Sequence, residues 1–145
     1  MSLLRPSHAS IVAYHALVHL AKDGGTMNTV DLAKALGASE SHLSKILQRL
    51  VHADLVESVR GAFGGFRLGK PADKLSVLAI LELFDGPVTA DLACQTMYLE
   101  CEETCCVLRP LMRVLSMTRE QLSMITIADS LRGLRGDTAA ETTDD

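Results

Sequence analysis

Residues 39–50, Ser39-Glu40-Ser41-His42-Leu43-Ser44-Lys45-Ile46-Leu47-Gln48-Arg49-Leu50, carry apolar side chains at Leu43, Ile46, Leu47 and Leu50. That is the i, i+3, i+4, i+7 spacing of a one-sided helix, and Ser39 stands where a capping hydroxyl belongs. Just upstream, Val30, Leu32, Ala33 and Leu36 repeat the pattern, opened by Asn28 or Thr29 and closed by Gly37. Two short helices joined by a glycine-containing turn form a helix-turn-helix candidate. Downstream, Leu55-Val56-Glu57-Ser58-Val59 alternates and is β-branched, as a strand should be. Arg60-Gly61-Ala62-Phe63-Gly64-Gly65 reads as a turn, and Phe66-Arg67-Leu68 returns as a second strand. The expected fold is mainly α with a small β-hairpin, a winged helix-turn-helix.

On the N-terminal side, residues 8–22 read as a helix that Gly24-Gly25 stops. Its apolar residues nearly encircle it, so it is expected to be largely buried. On the C-terminal side, residues 76–84 form a further helix, broken by Gly86-Pro87. An irregular stretch, residues 91–105, precedes a long helix that starts near Cys106 and tolerates Pro110 in its first turns. Leu108, Leu111, Met112, Leu115, Leu122 and Ile125 give that helix an apolar stripe. Thr126 with Asp129 resembles a capping box for a last short helix through Leu131 and Leu134. Residues 137–145 are small, polar and acidic, and are expected to be a disordered tail.

A chain of 145 residues, 48% hydrophobic, suits a soluble domain with a real core. No run of about eighteen apolar residues is available to span a bilayer, and the first residues lack the layout of a secretory signal. The expected location is the cytoplasm, where clustered thiols favour metal or redox chemistry over structural disulfides. The net charge of −4 divides unevenly. Residues 1–70 carry eight Lys/Arg against five Asp/Glu, a net of +3, whereas the remainder is acidic. The first half is therefore the candidate for phosphate contact.

In a helix-turn-helix the second helix enters the major groove, and residues near its start reach base edges. Here those are Ser39, Ser41, His42, Ser44 and Lys45, with Glu40 as an unfavourable neighbour. Arg60 beside Gly61 at the hairpin tip can approach a minor groove, and Arg49 and Arg67 are candidates for phosphate. All four cysteines, Cys94, Cys101, Cys105 and Cys106, fall within thirteen residues. Their spacing matches neither paired zinc knuckles nor a ferredoxin. Adjacent cysteines seldom share one small site, so three thiol ligands are more natural than four.

The stretch from Leu32 through Ser41–Leu50 to the Arg-Gly-x-x-Gly-Gly hairpin resembles the signature of the Rrf-two family of bacterial winged-helix transcriptional regulators. The likeness runs from the first helix to about Leu134. It implies a homodimer paired through the long C-terminal helix, bound to a near-palindromic double-stranded DNA operator. It also implies an iron–sulfur cluster, 2Fe–2S or 4Fe–4S, held by three cysteines before that helix. By match these are Cys94, Cys101 and Cys106, with Cys105 a possible substitute for Cys106. Some members add a histidine where this chain has Arg109, which cannot ligate. Others recruit the first helix of the partner subunit, and there His15 matches a ligand position. A tyrosine is common in the family where this chain has His42.

The resulting expectation is a DNA-binding transcriptional repressor that senses iron, redox state or nitric oxide through the cluster. The alternative is a thiol-switched DNA-binding regulator without metal. Residues 1–72 form the winged helix-turn-helix, 73–136 the cysteine loop and dimerisation helices, and 137–145 the tail. No membrane partner is expected. No phosphate loop, nucleophile elbow or His-Glu-x-x-His motif speaks for an enzyme.

Overall fold

The computed structural model describes residues 5–88 and 108–134. Helices α1 (His8–Asp23), α2 (Thr29–Leu36) and α3 (Glu40–His52) lead into strands β1 (Val56–Val59) and β2 (Gly65–Leu68). A 3-10 turn at Ala72–Lys74 then precedes α4 (Val77–Asp85), α5 (Leu108–Met124) and α6 (Ile127–Leu134). Mainly helical with one antiparallel hairpin among the described residues, this is the fold that the sequence implied. The cysteines, the 91–105 loop and the 137–145 tail lie outside the described residues.

The helices begin where local chemistry supplies a cap. Ser7, Asn28, Ser39 and Ser76 each accept a hydrogen bond from a backbone N–H three residues on, which satisfies a donor the helix leaves open. Thr126 and Asp129 form the expected reciprocal cap: Asp129 accepts from the Thr126 N–H at 2.8 Å, and the Asp129 N–H donates back to Thr126 Oγ1 at 3.3 Å. Gly37 closes α2 in the left-handed conformation, φ 62°, and a three-residue turn carries the chain into α3.

α1 is the hub. Ala13, Ala16, Leu17 and Leu20 are buried on it, and α2, α3, α4, α6 and β2 all pack around it. The small side chains of Ala13 and Ala16 let these neighbours approach closely. α1 is less encircled than its composition suggests, because Ile11 stays 44% exposed and His15 also reaches solvent.

The core continues past residue 72. Leu75, Ile80 and Ile127 are buried in one cluster with Leu17, Leu32, Leu43, Leu47 and Leu50. A short bridge holds this together: Ile127 N–H donates to Leu75 O, and Val77 N–H donates to Ile125 O, both at 2.9 Å. Tyr14 on α1 also hydrogen-bonds Ser130 on α6. The last helix is therefore built into the winged half. α5 packs against α4 and leaves Met112, Val114, Met117 and Met124 about half exposed.

Asp85 at the end of α4 anchors the start of α1 by accepting from the Ser7 N–H at 3.1 Å. Burial raises its pKa, but hydrogen bonds from Ser7 and Ser10, together with the charge of Arg49, outweigh this and hold it below the ordinary carboxyl value. A carboxyl depressed on folding stabilises the protein above its unfolded pKa and loses that contribution as pH falls through the folded value. Stability should therefore decline below about pH 4. Asp85→Asn should lower stability at neutral pH and flatten that acid limb, as urea unfolding across the range would show.

Candidate nucleic-acid interface

α3 has two faces. Leu43, Ile46, Leu47 and Leu50 are buried in the core, while Ser41, Lys45 and Gln48 are exposed and share the opposite side at i, i+4, i+7. Ser44 is half-buried beside them, and the Ser39 hydroxyl is engaged in capping, 3.3 Å from the His42 N–H. Gln48 was not singled out from the sequence. Its spacing from Ser41 and Lys45 could have revealed it, and a glutamine amide can pair with an adenine edge.

Two expected contact residues have partners inside the chain. His42 is half-buried and stacks on His8 of α1, ring centroids 5.5 Å apart, and its Nε2 is buried with no hydrogen-bond partner among the described residues. Arg49 reaches α4, where its guanidinium donates to Leu83 O at 2.5 Å and lies 4.4 Å from the centre of the Phe84 ring. The structure thus gives Arg49 the geometry of a brace between α3 and α4.

In the hairpin, Val56 pairs with Leu68 and Val59 with Gly65. Arg67 is exposed and bridges to Glu57 across the strands at 2.8 Å. The return strand is pinned to the segment before α2, because Met27 and Phe66 exchange backbone hydrogen bonds at 3.0 and 2.8 Å. This makes the wing a rigid extension of the helix-turn-helix. At its tip Arg60 and Gly61 are exposed, Gly61 has φ 117°, and Gly64 N–H donates to Gly61 O at 3.0 Å.

The cysteine segment begins after Val88, the last described residue before it. The Val88 N–H donates to Glu82 Oε1 at 3.3 Å, and the same oxygen accepts from Arg119 of α5 at 3.0 Å. The Arg119 guanidinium holds the Glu82 carboxyl below its ordinary pKa, against the effect of burial. His15 is exposed, edge-on to Tyr14 at 6.1 Å. It stands at a hollow of about 370 Å³ between α1, α4 and α5, lined also by Ile11, Val77, Leu81 and Leu122. Among the described residues no three His, Cys, Asp or Glu side chains gather to hold a metal ion. None of the described helices is long and apolar enough to cross a membrane.

A family model described as "Rrf2: Iron-dependent Transcriptional regulator" matches residues 7–133. The chain belongs to the Rrf2 family. Protein aau3 of Rhizobium meliloti is 30% identical over 123 residues, covering 83% of this chain and 80% of that one. The structure of CymR, the global cysteine regulator of B. subtilis, superposes with a TM-score of 0.78 at 26% identity, covering 90% of this chain and 98% of that one. T. potens IscR gives 0.74 at 26% identity, covering 95% and 93%. Rrf2 proteins are transcriptional regulators that bind DNA and form dimers, so the exposed face of α3 and the wing belong to a DNA-binding protein.

Proposed function

We propose that this Rrf2 regulator is a homodimeric, cytoplasmic repressor that binds a near-palindromic operator and is controlled by an iron–sulfur cluster. The carrying observation is the two-faced α3: its core face is locked by four buried side chains, which leaves Ser41, Lys45 and Gln48 free for a major groove. Arg60 and Gly61 serve the adjacent minor groove, and Ser39, Ser44 and Arg67 lie at the margins. Dimerisation through α5 would cover Met112, Met117 and Met124, whose exposure on one helix is otherwise costly.

The thiols of Cys94, Cys101 and Cys106, with Cys105 in reserve, are the soft donors that suit an iron–sulfur cluster. When bound, such a cluster supplies a centre responsive to iron, oxidants or nitric oxide. His15, exposed on α1, is the proposed fourth ligand, donated across the dimer. The chain's own residues offer a route from the cysteine segment to the groove. Glu82 holds Val88 and α5 together, and one residue further along α4 the Leu83 carbonyl holds Arg49 of α3. A shift of α4 would therefore tilt α3, and two recognition helices must stay about 34 Å apart to meet one face of DNA.

Protein purified without oxygen should be brown, with iron and acid-labile sulfide in matched amounts. Cys94→Ser, Cys101→Ser and Cys106→Ser should each abolish the colour, and His15→Ala should alter its absorption and speed its decay. Equal operator affinity with and without the cluster would overturn cluster control. A protein that stays colourless after reconstitution would favour the second reading, a thiol switch built on Cys105-Cys106 beside Cys101.

A further inference from the structure

Phe63 stands out among the aromatic residues of this chain. It is 96% exposed, whereas the other described aromatic side chains, Tyr14, Phe66 and Phe84, are partly buried against the core. An aromatic ring this exposed among the described residues forgoes most of the stabilisation a buried ring would contribute. Scattered exposed apolar residues need no explanation, but this one is held by its backbone in a specific place. It sits at the third position of the turn Gly61–Gly64, which the Gly64 N–H to Gly61 O bond closes at 3.0 Å. Gly61 takes a positive φ, and a Cβ on Gly64 would fall 2.4 Å from Val59 O, so the chain folds tightly beneath the ring. The turn rides on a hairpin pinned to the helix-turn-helix through Met27 and Phe66. The ring is therefore offered on a stiff support at the outermost point of the wing.

Charge indicates what it is offered to. Residues 59–66 carry Arg60 and no acidic residue, and the next charges along the hairpin, Arg67 and Glu57, pair with each other. An apolar side chain beside an exposed arginine suits a duplex, whose backbone attracts the cation while its base steps accept an apolar wedge. We infer that Phe63 is a DNA-inserting residue: it enters the minor groove beside Arg60 and wedges against a flexible pyrimidine–purine step, bending the operator toward the major groove. The bend brings the flanking phosphates toward the wing, and it makes affinity depend on a step that no hydrogen bond reads. This inference rests on the DNA-binding reading.

The test uses the full-length protein and the duplex that the wild type enriches most strongly from a random-sequence pool. Phe63→Ala should weaken binding on the order of tenfold or more. It should also reduce the bend measured on circularly permuted fragments, and quench the signal of a fluorescent adenine analogue placed at the wedged step. Phe63→Leu should restore most of the bend. Because the ring is 96% exposed among the described residues, neither variant should change the Tm, which separates the wedge from a structural role. Unchanged affinity and bend in Phe63→Ala, with Lys45→Ala still weakened, would overturn the wedge and leave DNA binding standing. Failure of the wild type to enrich any duplex would overturn both.

Discussion

Gly65→Ala is expected to destabilise this protein by about 2–4 kcal/mol, although it adds a single methyl group near the surface. Gly65 opens β2 with φ 153°, a conformation that side-chain-bearing residues rarely adopt. A Cβ there would lie 2.3 Å from Met27 O, 2.6 Å from Met27 C and 2.9 Å from Asn28 N. All three are backbone atoms, so no rotamer change can relieve the clash. Relief requires the wing to separate from the segment that caps α2, breaking the paired Met27–Phe66 hydrogen bonds. The Tm should fall by roughly 10 °C. DNA affinity should fall with it, because the wing loses its fixed angle to α3. Gly24→Ala is the control, since Gly24 also has positive φ but its Cβ would meet nothing within 4 Å. It should cost only about 1 kcal/mol. If the two variants melt alike, the close approach at Met27 is not what demands glycine.

Arg49→Ala is the second large effect, about 1–2 kcal/mol of stability combined with weakened DNA binding. It removes a charge-assisted hydrogen bond to Leu83 O and the stacking on Phe84, the direct ties from α3 to the end of α4. Arg49→Lys should recover little, because an ammonium lacks the planar fork that lies on the ring while donating to the carbonyl. Salt dependence distinguishes a brace from a phosphate contact. A brace weakens affinity equally at every salt concentration, whereas losing a phosphate contact lowers the slope of log affinity against log salt by about one. The slope should hold in Arg49→Ala and fall by about one in Lys45→Ala. A reduced slope in Arg49→Ala would return that side chain to the phosphates.

Both predictions depend on contacts between distant segments, whereas the legible parts of the molecule rest on local ones. The helix-turn-helix was readable because its signals are local. Asn28, Gly37 and Ser39 cap within three residues of the groups they satisfy, and the apolar spacing of α3 already named Leu43, Ile46, Leu47 and Leu50 as its core face. Thr126 and Asp129 were equally readable for the same reason. The hairpin followed from alternation and from a glycine-rich turn. The clustering of four thiols in thirteen residues is likewise a property of the sequence itself.

The polar residues of α3 are a different matter, because a helical period assigns a side chain to a face but not to a partner. For His42, read as a base contact, α1 supplies His8 as a stacking partner. For Arg49, read as a phosphate candidate, α4 supplies a carbonyl and a ring thirty-four residues later in the chain. Phe63 gained functional weight only from what the fold leaves uncovered, whereas Gln48 was already marked by its spacing from Ser41 and Lys45. The joining of α6 to the winged half rests on backbone pairs between residues 75–77 and 125–127, far apart in sequence and carrying no pattern of their own. Sequence alone determined the helices, the hairpin and the family, since propensity, capping and periodicity act over a few residues. Only the tertiary structure decided which side chains are braced and which are free, because distant segments compete for the same polar groups.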